Sequence, residues 1–391
     1  VIAELLIGKK GRAGSVGSIR VLVKEQSLSS FWIGIGYLNQ VAALLIQVTY
    51  AVIAGWVLLY FSRALTEGFV QIVPSVAAAE YEAITKNFFA TLFWTISSIF
   101  FCGLILFFGL KNGIERAVGF MMPILFFVMV LLITFNIFAG GFKEALIWLF
   151  EPDFSKITPE VCLAALSQAF FSIGVAMAVM MTYGSFLPQE SNIFSSAFII
   201  VFADTLVAIL AGLVIFPVVF SSNLDPAAGP GLIFQVLPVA FSDMPGGYFF
   251  GVFFFLLLAV AAITSMLGLL ESLVRWLEIE FRFSRRRATA CVILLNIFLS
   301  SLSVGAYSGV VNWGSFYPSF NDRIDYLSNQ VFLPLGGMLI AIFAGWFVNL
   351  KLAREDYVVK NNRVFTIWKL FLRWPVPFAV FIILITGVLQ V

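Results

Sequence analysis

The sequence contains no histidine and little charge. Histidine is the commonest metal ligand and the usual proton carrier near neutral pH, so its absence disfavours both kinds of chemistry. Only 11% of the residues are charged, against about 25% in soluble domains. The three cysteines, Cys102, Cys162 and Cys291, lie in separate apolar segments without metal or redox spacing, and we interpret them as small core residues. A net charge of +2 gives no indication of nucleic-acid binding.

The chain is instead rich in apolar sequence, with 61% hydrophobic and 16% aromatic residues. This composition predicts an all-α, polytopic membrane protein without a soluble domain. A spanning helix needs about 20 apolar residues, and residue 1 already lies in an apolar stretch. We therefore expect ten spanning segments, the first of them cut short. The nine longer runs cover residues 31–62, 88–110, 117–140, 159–186, 194–220, 247–272, 288–307, 330–349 and 375–391.

Basic residues are concentrated in alternate loops. The loops after residues 8, 110, 281 and 350 are rich in Lys and Arg, and the loop after residue 186 is neutral to acidic. Because basic loops stay on the cytoplasmic side, we predict that these five loops are cytoplasmic in the inner (plasma) membrane. The outer loops 63–87 and 221–246 are short enough to act as lids.

The stretch from Leu163 to Phe186 combines membrane-like hydrophobicity with a weak centre. Gly174 and Gly184 bracket a run of small residues, and glycine costs a helix interior about 1 kcal/mol. If the helix opens between Ile173 and Val179, its freed backbone groups must face protein or a water-filled cavity. Such broken helices hold ions or zwitterions in transporters. The stretch is equally consistent with a continuous helix packed on its neighbours.

Several polar residues lie within apolar runs. Asp204 is near the middle of a span, where a carboxylate costs about 2.5–3.5 kcal/mol; it faces a cavity or an ion, or forms a structural hydrogen bond. Ala261, Thr264 and Ser265 share one helical face, and their oxygens suit a hard cation such as sodium. The alternative is that the hydroxyls bond back to their own helix. Tyr50 needs a partner for its hydroxyl.

Short motifs along the whole chain resemble, in order and spacing, those of the neurotransmitter:sodium symporter family of LeuT-fold transporters, in particular its bacterial members. The motifs are ELLIGK at Glu4–Lys9, Thr49–Tyr50 with Trp56, EPDFS at Glu151–Ser155, QAFFS at Gln168–Ser172, Thr182–Tyr183, DTLVA at Asp204–Ala208, IFP at Ile215–Pro217, Thr264–Ser265, Asp325–Tyr326 and LPLGG at Leu333–Gly337.

The resemblance implies a fold of two inverted five-helix repeats in a single transmembrane domain spanning residues 1–391. Residues 1–140 would be helices 2–5, residues 159–349 helices 6–10, and residues 350–391 a cytoplasmic connection and helix 11. The family's first helix, which supplies much of both sodium sites, would then be missing. We therefore expect that the chain as written does not transport, and that the function belongs to the complete protein.

The resemblance also implies roles for individual residues. Tyr50 would bind the substrate carboxylate, and Phe171 would close over the substrate. Glu4 would brace the unwound backbone, and Asp325 would be the acidic half of an outer gate. The substrate side chain would be lined by Ile46, Gly174, Met177, Ser265 and Leu269. The first sodium site would take Ser172 and Asp204, and the second would take Ala261, Thr264 and Ser265.

The chain departs from the family pattern at the inner gate. Phe186 stands where the family often has a tyrosine. The acidic inner-gate position corresponds to Ile279, flanked by Glu278 and Glu280.

At the family's chloride site, the neutral asparagine ligand corresponds to Asp204, and Ala208 offers no hydroxyl. We therefore expect two sodium ions and no chloride.

The predicted function is sodium-coupled uptake of neutral, hydrophobic or aromatic amino acids by alternating access, with no enzymatic activity. The partners would be the amino acid, sodium and the lipid bilayer, and no nucleic acid. One alternative is a LeuT-fold carrier for another solute or cation; another is a truncated form that does not transport. A channel would need a repeated filter motif, and an intramembrane enzyme a nucleophile–base pair, neither of which the sequence contains.

Overall fold

The computed structural model describes residues 1–69, 72–222, 224, 231–310, 320–349 and 362–389, and in these ranges the chain is helical without β-strands. The predicted basic loop after residue 350 and parts of both predicted lids lie outside the described residues. The α-helices are α1 (Ile2–Gly11), α2 (Gly14–Glu25), α3 (Gly34–Thr66), α4 (Pro74–Lys86), α5 (Phe88–Phe107), α6 (Arg116–Ala139), α7 (Phe142–Phe150), α8 (Pro159–Ile173), α9 (Val179–Phe186), α10 (Ile193–Ser221), α11 (Leu237–Asp243), α12 (Gly247–Glu280), α13 (Arg285–Tyr307), α14 (Phe320–Asp325), α15 (Leu333–Ile342), α16 (Asn362–Arg373) and α17 (Pro375–Leu389).

Four π-helical turns and two 3₁₀ turns extend or link these α-helices. The π turn at Tyr326–Phe332 joins α14 to α15, so that one helical segment runs from Phe320 to Phe347. The other π turns are Leu110–Glu115, Leu232–Val236 and Phe343–Phe347, and the 3₁₀ turns are Ser30–Ile33 and Phe154–Lys156.

Within the described ranges, eight helical segments are long and apolar enough to cross a membrane. The other two predicted segments are α1 and the pair α8–α9, which are too short singly. Some of the span boundaries predicted from the sequence were wrong. The helix predicted to end near residue 272 continues to Glu280, because charged residues at its end weaken the apolar pattern without stopping the helix. The last span begins before residue 375, since α16 leads directly into it.

The long helices α3 and α12 contribute to all three clusters of buried side chains. One cluster joins them to α5 and α13 around Cys102 and Met266. A second, rich in aromatic rings, gathers around Tyr60 and Phe255. The third surrounds α1, α9 and α15 and contains Met177. The broken helix is therefore held against the core chiefly through its second half, α9.

Helices α1 and α9 pack with their backbones in close contact. A Cβ atom added to Gly8 would lie 2.0 Å from the Met181 carbonyl oxygen, and one added to Gly184 would lie 2.7 Å from the Leu5 carbonyl oxygen. Small residues let membrane helices approach in this way. The contact brings Glu4 on α1 close to the start of α9.

Candidate functional site

The predicted break in the helix is present and falls where the sequence placed it. Helix α8 ends at Ile173 and α9 begins at Val179. Between them Gly174, Ala176 and Ala178 have positive φ angles of 77°, 61° and 60°. A left-handed conformation costs an alanine about 1–2 kcal/mol, so the surrounding contacts must offset this cost. The alternative of a continuous helix is excluded.

The first of these contacts comes from a carboxylate. The Ala176 amide donates a hydrogen bond of 2.9 Å to Oε1 of Glu4, whose side chain is fully buried. The backbone N–H groups of Gly174 and Val175 bond back to the carbonyls of Phe171 and Phe170. Glu4 therefore contacts the unwound backbone; its role as a brace for that backbone stays a prediction.

Two side chains predicted for the first sodium site are in direct contact. The Ser172 hydroxyl donates to Oδ1 of Asp204 at 2.7 Å. Ser172 lies in the last turn of α8, and Asp204 is in the middle of α10, 32 residues further along the chain. We call this pair the first oxygen cluster; it joins two helices and carries one negative charge when the carboxylate is ionised.

The residues predicted for the second sodium site lie on one stretch of α12. The Thr264 hydroxyl donates to the carbonyls of Ala261, at 2.9 Å, and Val260, at 3.0 Å. Its oxygen lone pairs remain available to a cation, so both the structural and the ligand interpretation of Thr264 remain open. Ser265 is exposed, and its side chain lies near the Tyr50 hydroxyl of α3. We call Ala261, Thr264 and Ser265 the second oxygen cluster.

The predicted side-chain pocket is apolar. Ile46, Met177 and Leu269 are all buried in the cluster around α1 and α9. Gly174 has open space where a Cβ would be, and Phe171 is 39% exposed. The structure thus brings residues from α3, the break and α12 together, with open space beside Gly174.

At the predicted outer gate, Asp325 is exposed at the end of α14. At the other end of the bundle, Ile279 contributes no charge and packs against the glycines of α2. The guanidinium of Arg275 instead lies 5.5 Å from the ring centre of Phe186. The acidic residues on either side of Ile279, Glu278 and Glu280, form ion pairs with arginines of neighbouring helices.

These ion pairs were not predicted from the sequence. Arg285 donates to the Glu271 carboxylate from its two terminal guanidinium nitrogens, Nη1 at 2.9 Å and Nη2 at 2.5 Å. Arg20 binds Glu280 at 2.9 Å. The hydrogen bond that Arg20 donates to the Glu280 carboxylate raises the pKa of the Arg20 guanidinium above its usual range. Glu271 could have indicated such a pair, because it lies inside an apolar run, where a carboxylate usually pairs with an opposite charge.

Long apolar helices packed beside one broken helix, with oxygen-bearing side chains next to the break, define the class of protein: a membrane transporter with a discontinuous helix. The model of the sodium:neurotransmitter symporter family matches residues 83–391. The chain belongs to this family, whose members are transporters and not enzymes.

Similar proteins span nearly the whole chain. A sodium-dependent transporter of Haemophilus influenzae is 31% identical, covering 99% of this chain and 86% of its own length. One of Bacillus subtilis is 32% identical, covering 98% of this chain and 85% of its own length. The crystal structure of MhsT in complex with L-phenylalanine superposes with a TM-score of 0.88 at 33% identity, over 99% of this chain and 87% of that one. The fold is therefore the LeuT fold.

Proposed function

We propose that this sodium-dependent transporter takes up neutral, hydrophobic or aromatic amino acids. The observation that carries the proposal is the site itself: a broken helix, an adjacent carboxylate, and a group of apolar side chains formed by Ile46, Met177 and Leu269. None of these three residues is charged, so an acidic or basic substrate side chain would lose its hydration without a partner. The L-phenylalanine bound by the structural relative MhsT supports the same substrate class.

The backbone of the substrate would bind at the break. The Tyr50 hydroxyl would donate to the substrate carboxylate, and Phe171 would close over the bound molecule. One sodium ion would bind at the first oxygen cluster and a second at the second oxygen cluster. Chloride would not be needed, because the Asp204 carboxylate supplies the negative charge next to the first ion.

The proposed architecture follows the inverted repeat of the fold. Residues 1–140 would belong to the first repeat, residues 159–349 to the second, and residues 350–391 to a cytoplasmic connection and a further helix, all within one transmembrane domain (1–391). In the plasma membrane the loops after residues 8, 110, 186, 281 and 350 would face the cytoplasm. Sodium would favour the outward-open state if it binds that state more tightly, and the sodium gradient would drive uptake.

The test is uptake of labelled phenylalanine by proteoliposomes containing the full-length protein, with and without an inward sodium gradient. We expect uptake with sodium and little with potassium, and competition by leucine or tryptophan but not by glutamate or lysine. Competition by glutamate or lysine as strong as by leucine would contradict the substrate class. Uptake that is equal in potassium would contradict sodium coupling.

A further inference from the structure

The turn between α12 and α13 carries three arginines that the proposed transport mechanism does not use. Arg282 lies in the turn, and Arg286 and Arg287 lie in the first turn of α13; all three side chains are exposed. We propose that this surface, which we call the arginine turn, binds the headgroup of an anionic phospholipid.

The acidic residues near the arginine turn are already paired. Glu271 binds Arg285, and Glu280 binds Arg20. Glu278 lies 3.4 Å from Arg275 and 3.8 Å from Arg285. Across the described residues no carboxylate forms an ion pair with Arg282, Arg286 or Arg287. Three positive charges within six residues therefore lack a counter-charge from the part of the chain that the structure describes.

This lack of partners is not general among the basic residues. In the predicted outer loops Arg63 lies 3.2 Å from Glu80, Lys86 pairs with Glu82, and Lys156 lies 3.3 Å from Asp153. An excess of basic residues on one side of a membrane protein accounts for net positive charge there. It does not account for a concentration of three arginines in one turn among exposed aromatic rings.

Aromatic side chains surround the arginine turn. Phe281 and Phe283 within the turn are exposed, as are Phe107 and Phe108 at the end of α5. The guanidinium of Arg286 lies 5.2 Å from the ring centre of Phe107. Arginine and aromatic rings together fit the boundary between lipid headgroups and acyl chains, where a side chain needs both an apolar and a polar environment.

The arginine turn is held in place by its fourth arginine. Besides binding Glu271, Arg285 donates from Nε to the Leu106 carbonyl oxygen at 2.9 Å. This contact ties the start of α13 to the end of α5. The outward-facing arginines and the exposed phenylalanines therefore stay on one surface, so that a ligand binding both would lose little freedom in ordering them.

An anionic phospholipid fits these features better than a soluble anion does. The planar guanidinium binds phosphate oxygens in a bidentate manner, while the exposed rings would contact the upper part of the acyl chains. A soluble phosphate would use the arginines only and leave the rings in water. The site lies at the ends of α12 and α13, which are long and apolar enough to cross a membrane, and such helix ends lie next to the lipid headgroups.

Lipid binding can be measured by native mass spectrometry on the purified full-length protein with added phosphatidylglycerol or phosphatidylcholine. Each basic residue near an anionic headgroup contributes about a fivefold factor in affinity, so the variant Arg282→Gln/Arg286→Gln/Arg287→Gln should bind phosphatidylglycerol about 100-fold more weakly. The wild type should bind phosphatidylglycerol well above phosphatidylcholine. Replacing the same three arginines by lysine keeps the charge and removes the bidentate contacts, so this variant should bind phosphatidylglycerol more weakly than the wild type and more tightly than the glutamine variant.

A matched control removes the same charge elsewhere on the same predicted side, with Lys10→Gln, Lys24→Gln and Arg116→Gln combined, and should change binding less than about threefold. An equal loss in both triple variants would overturn the site in favour of general surface charge. Equal binding of both lipids by the wild type would also overturn it, as would displacement of the lipid by excess inorganic phosphate. If the glutamine variant does not fold, the two-lipid comparison on the wild type and the lysine variant decides the question.

Discussion

The two oxygen clusters beside the break differ in charge and in how many helices build them. The first joins Ser172 of α8 to Asp204 of α10 and contains a carboxylate. The second lies on α12 alone, and its Thr264 hydroxyl already bonds to its own helix. A sodium ion at the first cluster would meet a full negative charge; at the second it would meet only hydroxyl and carbonyl dipoles.

The two clusters would therefore contribute differently to sodium binding. The Coulomb attraction of a carboxylate for a cation is strong where water is scarce, so the first cluster can provide affinity. Because its two ligands come from different helices, an ion there also responds to any movement of α8 relative to α10. The second cluster is preformed along one helix, and we expect it to contribute less affinity per residue. Substitutions in the two clusters should therefore have unequal effects.

The largest effect is expected from Asp204→Asn. The substitution keeps the size of the side chain and removes the charge, and a hydrogen-bonded charged group contributes about 1.5–3 kcal/mol. Sodium affinity at the first cluster should fall roughly 10- to 100-fold, as measured by the sodium dependence of uptake and by binding of radioactive sodium. Thr205→Ala is the control, because the Thr205 hydroxyl is bonded to the Val201 carbonyl and should not matter.

Glu4→Leu should have the next largest effect. It leaves the buried Ala176 amide without an acceptor, at a cost of about 1–3 kcal/mol, and loosens the break next to the first oxygen cluster. We expect a lower melting temperature together with weaker substrate binding. Glu4→Gln keeps an oxygen that can accept the same hydrogen bond, so it should recover most of the loss. Equal damage by glutamine would mean that the charge of Glu4, and not its hydrogen bond, is what matters.

Tyr50→Phe tests the proposed substrate contact next to the second oxygen cluster. It removes the hydroxyl that we propose binds the substrate carboxylate, worth about 1.5–3 kcal/mol. Substrate affinity should fall about tenfold or more, while sodium binding measured without substrate should hardly change. Isothermal titration with phenylalanine measures the first and radioactive sodium the second. Unaltered substrate binding would make Tyr50 a packing residue.

The smallest effect is expected from Thr264→Val. The substitution keeps the shape and removes the hydroxyl, which the helix has already bonded, so the melting temperature without sodium should stay constant. If the hydroxyl also binds sodium, the apparent sodium affinity should fall about threefold to tenfold, and Thr264→Ser should restore it. An unchanged sodium dependence would assign Thr264 a purely structural role.

Local sequence chemistry predicted the break but not the ion pairs formed by the last turns of α12. Gly174 and the small residues after it fixed the position of the opening, because backbone preference acts within a few residues. The prediction that Ser172 and Asp204 share one site came from the family resemblance, because no local sequence pattern joins residues on different helices. The pairing of Glu271 with Arg285 was missed for the same reason: it depends on how α12 and α13 turn against each other.

The π turns and several helix ends were also outside what the sequence could predict. Hydropathy predicts a helix end where the apolar residues stop, yet α12 continues to Glu280, and its charged end is paired with Arg20 of α2 and Arg285 of α13. The extra residue of a π turn leaves no change of composition to detect. Such features depend on tertiary packing.

The central claim is that the Asp204 carboxylate balances the charge of the first sodium ion. The most direct test is sodium-driven uptake by the full-length protein in proteoliposomes with all chloride replaced by gluconate. Because a second anion beside an ionised carboxylate would be repelled, we predict equal uptake in gluconate and in chloride. Loss of most of the uptake in gluconate would contradict the assignment of Asp204.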